Sequence, residues 1–219
     1  MEKDTRCEIL QQGIKARKQY IDVWHWIAGG AAIAIIGIYI PPILVVAIIL
    51  MLIGLFINAM AFFSHLDVLK LIKAQSPYDP YTPVLLAIAL QIAIGMVSFT
   101  IVASSGNWEE VPLSANLLSA ITNFIIFITL YRQMYIHIEK ALGISLSLAY
   151  TIGIFETLLE SLNMLISKSG INLIIGIFIL LVMYFQLSAF LDAYQDAWKQ
   201  QCLNGDNNSP TPHNTDKPY

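Results

Sequence analysis

Two glutamates, Glu156 and Glu160, stand four residues apart in an otherwise apolar run, Gly153-Ile154-Phe155-Glu156-Thr157-Leu158-Leu159-Glu160-Ser161-Leu162-Asn163. Four residues make about one helical turn, so a helix would carry both carboxyls on one face. Ala149, Gly153, Asn163 and Ser167 extend that face as a stripe of small and polar residues. Carboxyls so placed can share a proton, hold a cation or pair with a protonated amine, and they repel anions. A carboxylate at the centre of a bilayer costs about 3 kcal/mol on insertion scales, and such groups commonly mark ion or proton paths. The plainer alternative is a pair of neutral carboxyls that hydrogen-bond neighbouring helices and hold them together.

Depth decides which groups could join them. Antiparallel helices aligned from their ends, at about 1.5 Å rise per residue, put Asn123 level with Glu160 and Ser119 level with Asn163. Asn58, Gln91 and Gln186 fall together nearer the inner leaflet. Glu156, Glu160, Asn163, Asn123, Gln91, Gln186 and Asn58 are thus the candidates for a polar path. No Lys or Arg is expected among them, so the path reads as acidic and selective for cations. A second cluster joins Asp22 and His25 at the start of the first span with His65 and Asp67 at the end of the second, and an Asp three residues before a His can orient the imidazole. Its metal-ligand spacing is weak, and interfacial polar residues account for it as well. Cys7 and Cys202 lie in the polar ends without a CxxC or a histidine cluster, which reads as two free thiols.

Enzyme signatures are missing: the chain has no HExxH, no GxSxG, no Walker-type or dinucleotide glycine pattern, and no paired histidines at haem depth. Intramembrane aspartyl chemistry would want acids on two facing helices, whereas Glu156 and Glu160 share one. No enzyme activity, cofactor or bound metal is expected.

The elements that must position these residues are membrane helices. Ile27 to Phe63 is a 37-residue stretch without a charge, with Pro41-Pro42 near its middle. The chain is 57% hydrophobic and 12% charged, with a mean hydropathy of +0.65, outside the soluble range. A net charge of −3 without a basic block excludes nucleic acid as a partner. The lipid bilayer is the expected environment, with a second copy of the chain or another membrane protein as the partners left open.

Crossings of about 20 apolar residues read as six spans near 23–40, 43–64, 83–103, 115–134, 146–167 and 172–193. Reading Ile27 to Phe63 as one kinked helix would leave five. The basic residues discriminate, because short cytoplasmic loops are enriched in them. Six crossings with the N-terminus inside put 11 of the 12 Lys and Arg residues on the inner side and only Lys168 outside. Five crossings divide them evenly. Trp24, Trp26 and Trp198 then mark the inner interface, and Trp108 the outer one.

The expected architecture is therefore all-α: a polytopic membrane protein, a six-transmembrane-helix bundle with short loops and both termini cytoplasmic. Residues 1–22 form an amphipathic or simply basic segment at the inner surface, 23–195 the transmembrane domain, and 196–219 a polar, disordered tail. Gly30 and Ala34 form a small-xxx-small pair suited to close helix contact. Segment 76–83, with three prolines, is an inner loop that serves as a docking surface or as punctuation. Phe63-Ser64-His65-Leu66-Asp67, Tyr131-Arg132-Gln133-Met134-Tyr135 and Phe190-Leu191-Asp192-Ala193-Tyr194 each put an aromatic before polar residues where a helix leaves the inner leaflet, a pattern that either an old repeat of three hairpins or interfacial chemistry alone produces. Short loops and the basic-inside bias favour a bacterial inner membrane.

The function these features suggest is a small permease or channel-like protein that moves a cation or a proton-coupled solute. The alternative is a non-transporting protein that acts by contact, as a subunit of a larger assembly or an immunity-type protein. A permease needs its polar groups around a wet cavity; a contact protein can leave them as dry pairs.

Overall fold

The computed structural model describes residues 1–37, 40–106, 111–166 and 169–203, which are helical apart from short turns. Trp108, Lys168, Ser167 and the tail from 204 onward lie outside them. The uncharged stretch is not one helix. α1 (Lys3–Gly37) and α2 (Pro41–Gln75) are separated at the proline pair. Ile40 is extended, at φ −133° and ψ 90°, as a following proline requires, and the prolines open α2, where a missing N–H leaves no bond unmade. The two helices run antiparallel: Gly54 meets Trp26 and Ile27, Gly30 meets Ala47 and Met51, and Arg17 meets His65. Gly30 thus does bring two helices close, the partner being α2.

The rest of the bundle is α3 (Tyr81–Ser105), α4 (Leu113–Ile126), α5 (Arg132–Leu142), α6 (Ser147–Leu165) and α7 (Ser169–Trp198). Single π-helical segments at Phe127–Tyr131 and Lys199–Leu203 join α4 to α5 and extend α7. Four helices are long and apolar enough to cross a membrane: Val45–Gln75, Tyr81–Ser105, Leu113–Leu142 and Ile174–Leu203. α6 is less apolar because it carries Glu156, Glu160 and Asn163. In α1, charged and polar residues fill the N-terminal half.

That half does not stand apart from the bundle. Residues 3–22 run straight on into the apolar half of α1, and Ile9, Leu10 and Ala16 are buried with α2 and α7 in a cluster that α5 also joins. Gly13 lies so close to the Tyr194 ring that a Cβ there would collide with it. With Leu69, Ile72, Ile138 and Phe190 these residues make the protein's core, at the end of the bundle where α1 begins and α7 ends. The apolar spans do the opposite. Leu55, Phe56 and Phe99 are 63%, 68% and 63% exposed, an outward apolar belt that suits lipid.

Cys7 and Cys202 are not separate thiols here. The packing of α1 beside the π segment that ends α7 brings their Cα atoms to 5.9 Å, and the two are joined as a disulfide. The pairing ties the first helix to the last across 195 residues.

The 76–83 loop is braced from both sides. The Asp79 carboxylate accepts from the N–H groups of Tyr81 (3.1 Å) and Thr82 (2.9 Å), capping α3, and pairs with Lys73 at 2.7 Å. Partial burial opposes its ionisation, but the Lys73 and Thr82 hydrogen bonds outweigh that and hold its pKa at about 2. On the other side His137 Nδ1 reaches the Asp79 carbonyl at 2.7 Å, locking the loop to α5.

Candidate functional site

All seven helices contribute side chains to one cavity of about 320 Å³. α6 supplies Glu156 and Glu160, α4 Asn123, α3 Gln91 and α7 Gln186. The Ser161 hydroxyl donates to the Ala120 carbonyl at 3.3 Å, which ties α6 to α4 and sets Glu160 at the level of Asn123. Gly153 allows α6 to approach closely: a Cβ there would run into the Gln186 amide and the Phe127 ring. Gln186 donates to the Tyr135 hydroxyl at 3.2 Å. No hydrogen bond or ion pair joins Glu156 or Glu160 to any described residue, so both carboxyls are free to meet whatever fills the cavity.

Two candidates from the sequence stay outside. Asn58 is half-buried on α2 and Asn163 lies beyond the cavity, its Oδ1 buried without a partner. The inner-face cluster also separates. Only His65 lines the cavity. Asp22 is exposed, His25 packs on the Trp24 and Tyr184 rings, and Asp67 pairs with Lys70 at 3.4 Å on the surface. Among the described residues no three His, Cys, Asp or Glu side chains are placed to hold a metal.

The cavity is not purely acidic, which corrects the expectation of a core without basic residues. Arg17, read as part of a basic flank, is only 8% exposed and lines the same cavity. Its guanidinium lies flat over Phe190, 3.6 Å from the ring centre, and donates to His65 Nε2 at 3.0 Å. An imidazole that accepts there is neutral. Arginine Nε is buried and unpartnered, and no carboxylate pairs with the group among the described residues. Burial pushes the Tyr20 hydroxyl up to about 12, against the pull of the neighbouring Arg17, so it lines the wall as a neutral donor.

Tyr131 and Tyr135 complete the lining. They follow from the π segment, in which one extra residue per turn rotates α5 relative to α4 and turns Phe127, Tyr131 and Tyr135 inward. Phe127 stacks on Tyr150 with 8° between the rings, and Tyr135 meets Phe190 at 5.4 Å. Of the three aromatic-plus-polar segments seen in the sequence, two meet Arg17 directly, through His65 and Phe190, and the third lines the same cavity through Tyr131.

No protein-family model matches the chain, and no curated protein or solved structure matches it.

Proposed function

We propose that the chain is a small permease or channel-like protein that carries a cation or a proton-coupled solute through the bundle, with Glu156 and Glu160 as the cation-binding groups. The observation that carries this reading is the pair of unpartnered carboxyls on one wall of a shared cavity. Two acids that merely fastened helices together would be spent on neighbouring side chains or carbonyls. A contact protein has no use for a polar chamber between all seven helices, since each buried polar group costs free energy unless something satisfies it.

In this reading α1 and α6 cross the membrane with the four more apolar helices, giving six crossings and both termini on the cytoplasmic side of a bacterial inner membrane. The 11 basic residues then lie on the inner side. The Cys7–Cys202 disulfide lies at that same end, where a cytosolic thiol pool disfavours such a bond, so the orientation rests on the basic residues alone. Glu160 lies farther toward the outside than Glu156, and Gln186, Gln91 and His65 continue the lining inward. A proton or a protonated amine would pass from one carboxyl to the other.

Proteoliposomes test the reading. Protein reconstituted with a trapped pH dye is expected to dissipate an imposed proton or alkali-cation gradient. Glu156→Gln/Glu160→Gln, at matched folding and incorporation, is expected to lose about tenfold or more of that rate, because a neutral amide offers no site for the cation. Equal flux from both proteins, or flux from neither, would count against the acidic path.

A further inference from the structure

We infer that the cavity recognises a small zwitterion, its anionic end held by Arg17 and its protonated amine by Glu156 and Glu160. The inference rests on the permease reading of this same cavity and names its substrate class.

Charge is what singles out the ligand. Glu156 and Glu160 alone would suit any cation, but the wall also holds a guanidinium that is more than nine-tenths buried and pairs with no carboxylate among the described residues. Phe190 occupies one face of that guanidinium and His65 one of its nitrogens, leaving N–H donors, the buried Nε–H among them, that no group accepts among the described residues. A buried guanidinium is costly unless an anion meets it, and a carboxylate or phosphate matches its fork. The protein's own acids are on another wall. A ligand with both charges would satisfy both ends at once; a plain cation would leave Arg17 facing like charge.

The helices set the distance between the two ends. Arg17 stacks on Phe190, and Gln186 is four residues from Phe190 on α7, about 6 Å along the axis. Gln186 packs against Gly153 of α6, and Glu156 lies three residues further, about 4.5 Å. The two levels are about 10 Å apart along the backbone, a gap that the carboxylate shortens because helical side chains lean toward the N-terminus, here toward Arg17. The cavity of 320 Å³ equals about ten waters at about 30 Å³ each, so a ligand of about ten heavy atoms fills it. Together these describe an amino acid-like molecule with several atoms between its charges. Tyr20, Tyr131 and Tyr135 supply hydroxyls and ring faces along its length.

Three probes of matched length separate the possibilities: 6-aminohexanoate, 1,6-diaminohexane and adipate. All are charged and water-soluble at neutral pH, so none is lost to the lipid. Calorimetric titration of the purified, folded protein is expected to show the zwitterion binding about tenfold or more tightly than the diamine or the diacid. Arg17→Gln is expected to shift the preference to the diamine, and Glu156→Gln/Glu160→Gln to adipate; Arg17→Lys should keep the original ranking. Diamine binding at least as strong as zwitterion binding in the unmutated protein would overturn the inference and leave the acidic permease standing. Saturable binding of none of the three would overturn it too, while acid-dependent proton flux decides the permease reading separately.

Discussion

Leu69→Ala is expected to destabilise the folded protein by about 2–5 kcal/mol, whereas Leu55→Ala is expected to be close to neutral. Both residues are leucines of α2, yet Leu69 is fully buried and Leu55 is 63% exposed. Leu69 packs into the cluster formed with α1, α5 and α7, so its removal leaves a void that close-packed helices cannot collapse to fill. Leu55 faces the apolar belt, where lipid is as good a neighbour as another leucine and truncation leaves no hole. Thermal or denaturant unfolding in a lipid-like detergent gives the comparison. Similar losses at both sites would mean that the terminal end of the bundle is not where the protein is held together, and that the N-terminal half of α1 does not dock as described.

Arg17→Met is expected to raise the melting temperature of the ligand-free protein while removing recognition of an anionic group. Burying a guanidinium costs several kcal/mol even after relaxation. The Phe190 face returns about 2 kcal/mol and the His65 bond about 1.5–3 kcal/mol, which brings the group near balance at best. Methionine keeps the unbranched stem, packs its sulfur on the same ring and carries no desolvation cost. Replacement of buried charges by apolar side chains of similar volume is neutral or stabilising by about 1–4 kcal/mol. At about 2–4 °C per kcal/mol for a chain of this size, the rise is readable in a thermal scan. A cation kept at such expense is kept for what it binds. A melting temperature lowered by several degrees would instead make Arg17 a structural pillar.

The sequence carried much of this molecule openly. Helical class follows from the long apolar runs, and the break between α1 and α2 from Pro41-Pro42, whose chemistry permits little else. The cavity's acidic wall was legible for a similar reason: Glu156, Glu160 and Gly153 repeat at helical spacing, and a stripe of polar residues on a membrane helix must face protein or water. Depth alignment also brought Asn123, Gln91 and Gln186 to the right region. It failed for Asn58 because depth fixes the level of a residue and not the direction in which its helix face turns.

Arg17 was hidden by the habit of treating basic residues before a span as an orientation signal. A trace was present. Leu10, Gly13, Arg17, Tyr20 and Trp24 recur at steps of three and four, so the stripe that buries Leu10 also turns Arg17 inward. The π segment at Phe127–Tyr131, which aims Tyr131 and Tyr135, has no sequence mark that separates it from a regular turn. The pairing of Cys7 with Cys202 is likewise a property of how the first and last helices meet, invisible in either terminal segment alone.

The chamber bounded by Arg17, Glu156 and Glu160 is expected to hold water inside the bundle. Radiolytic hydroxyl-radical footprinting of the protein in lipid bilayers tests it directly, because the radicals form from water and oxidise the side chains beside it. Met134 and Tyr135 line the cavity and are 4% and 6% exposed, while Met96 on the belt is 61% exposed. The inverse of that order is expected: Met134 and Tyr135 oxidised early, Met96 spared by lipid. Oxidation of the exposed Leu203 that follows α7, without any at Met134 or Tyr135, would show a dry interior and contradict it.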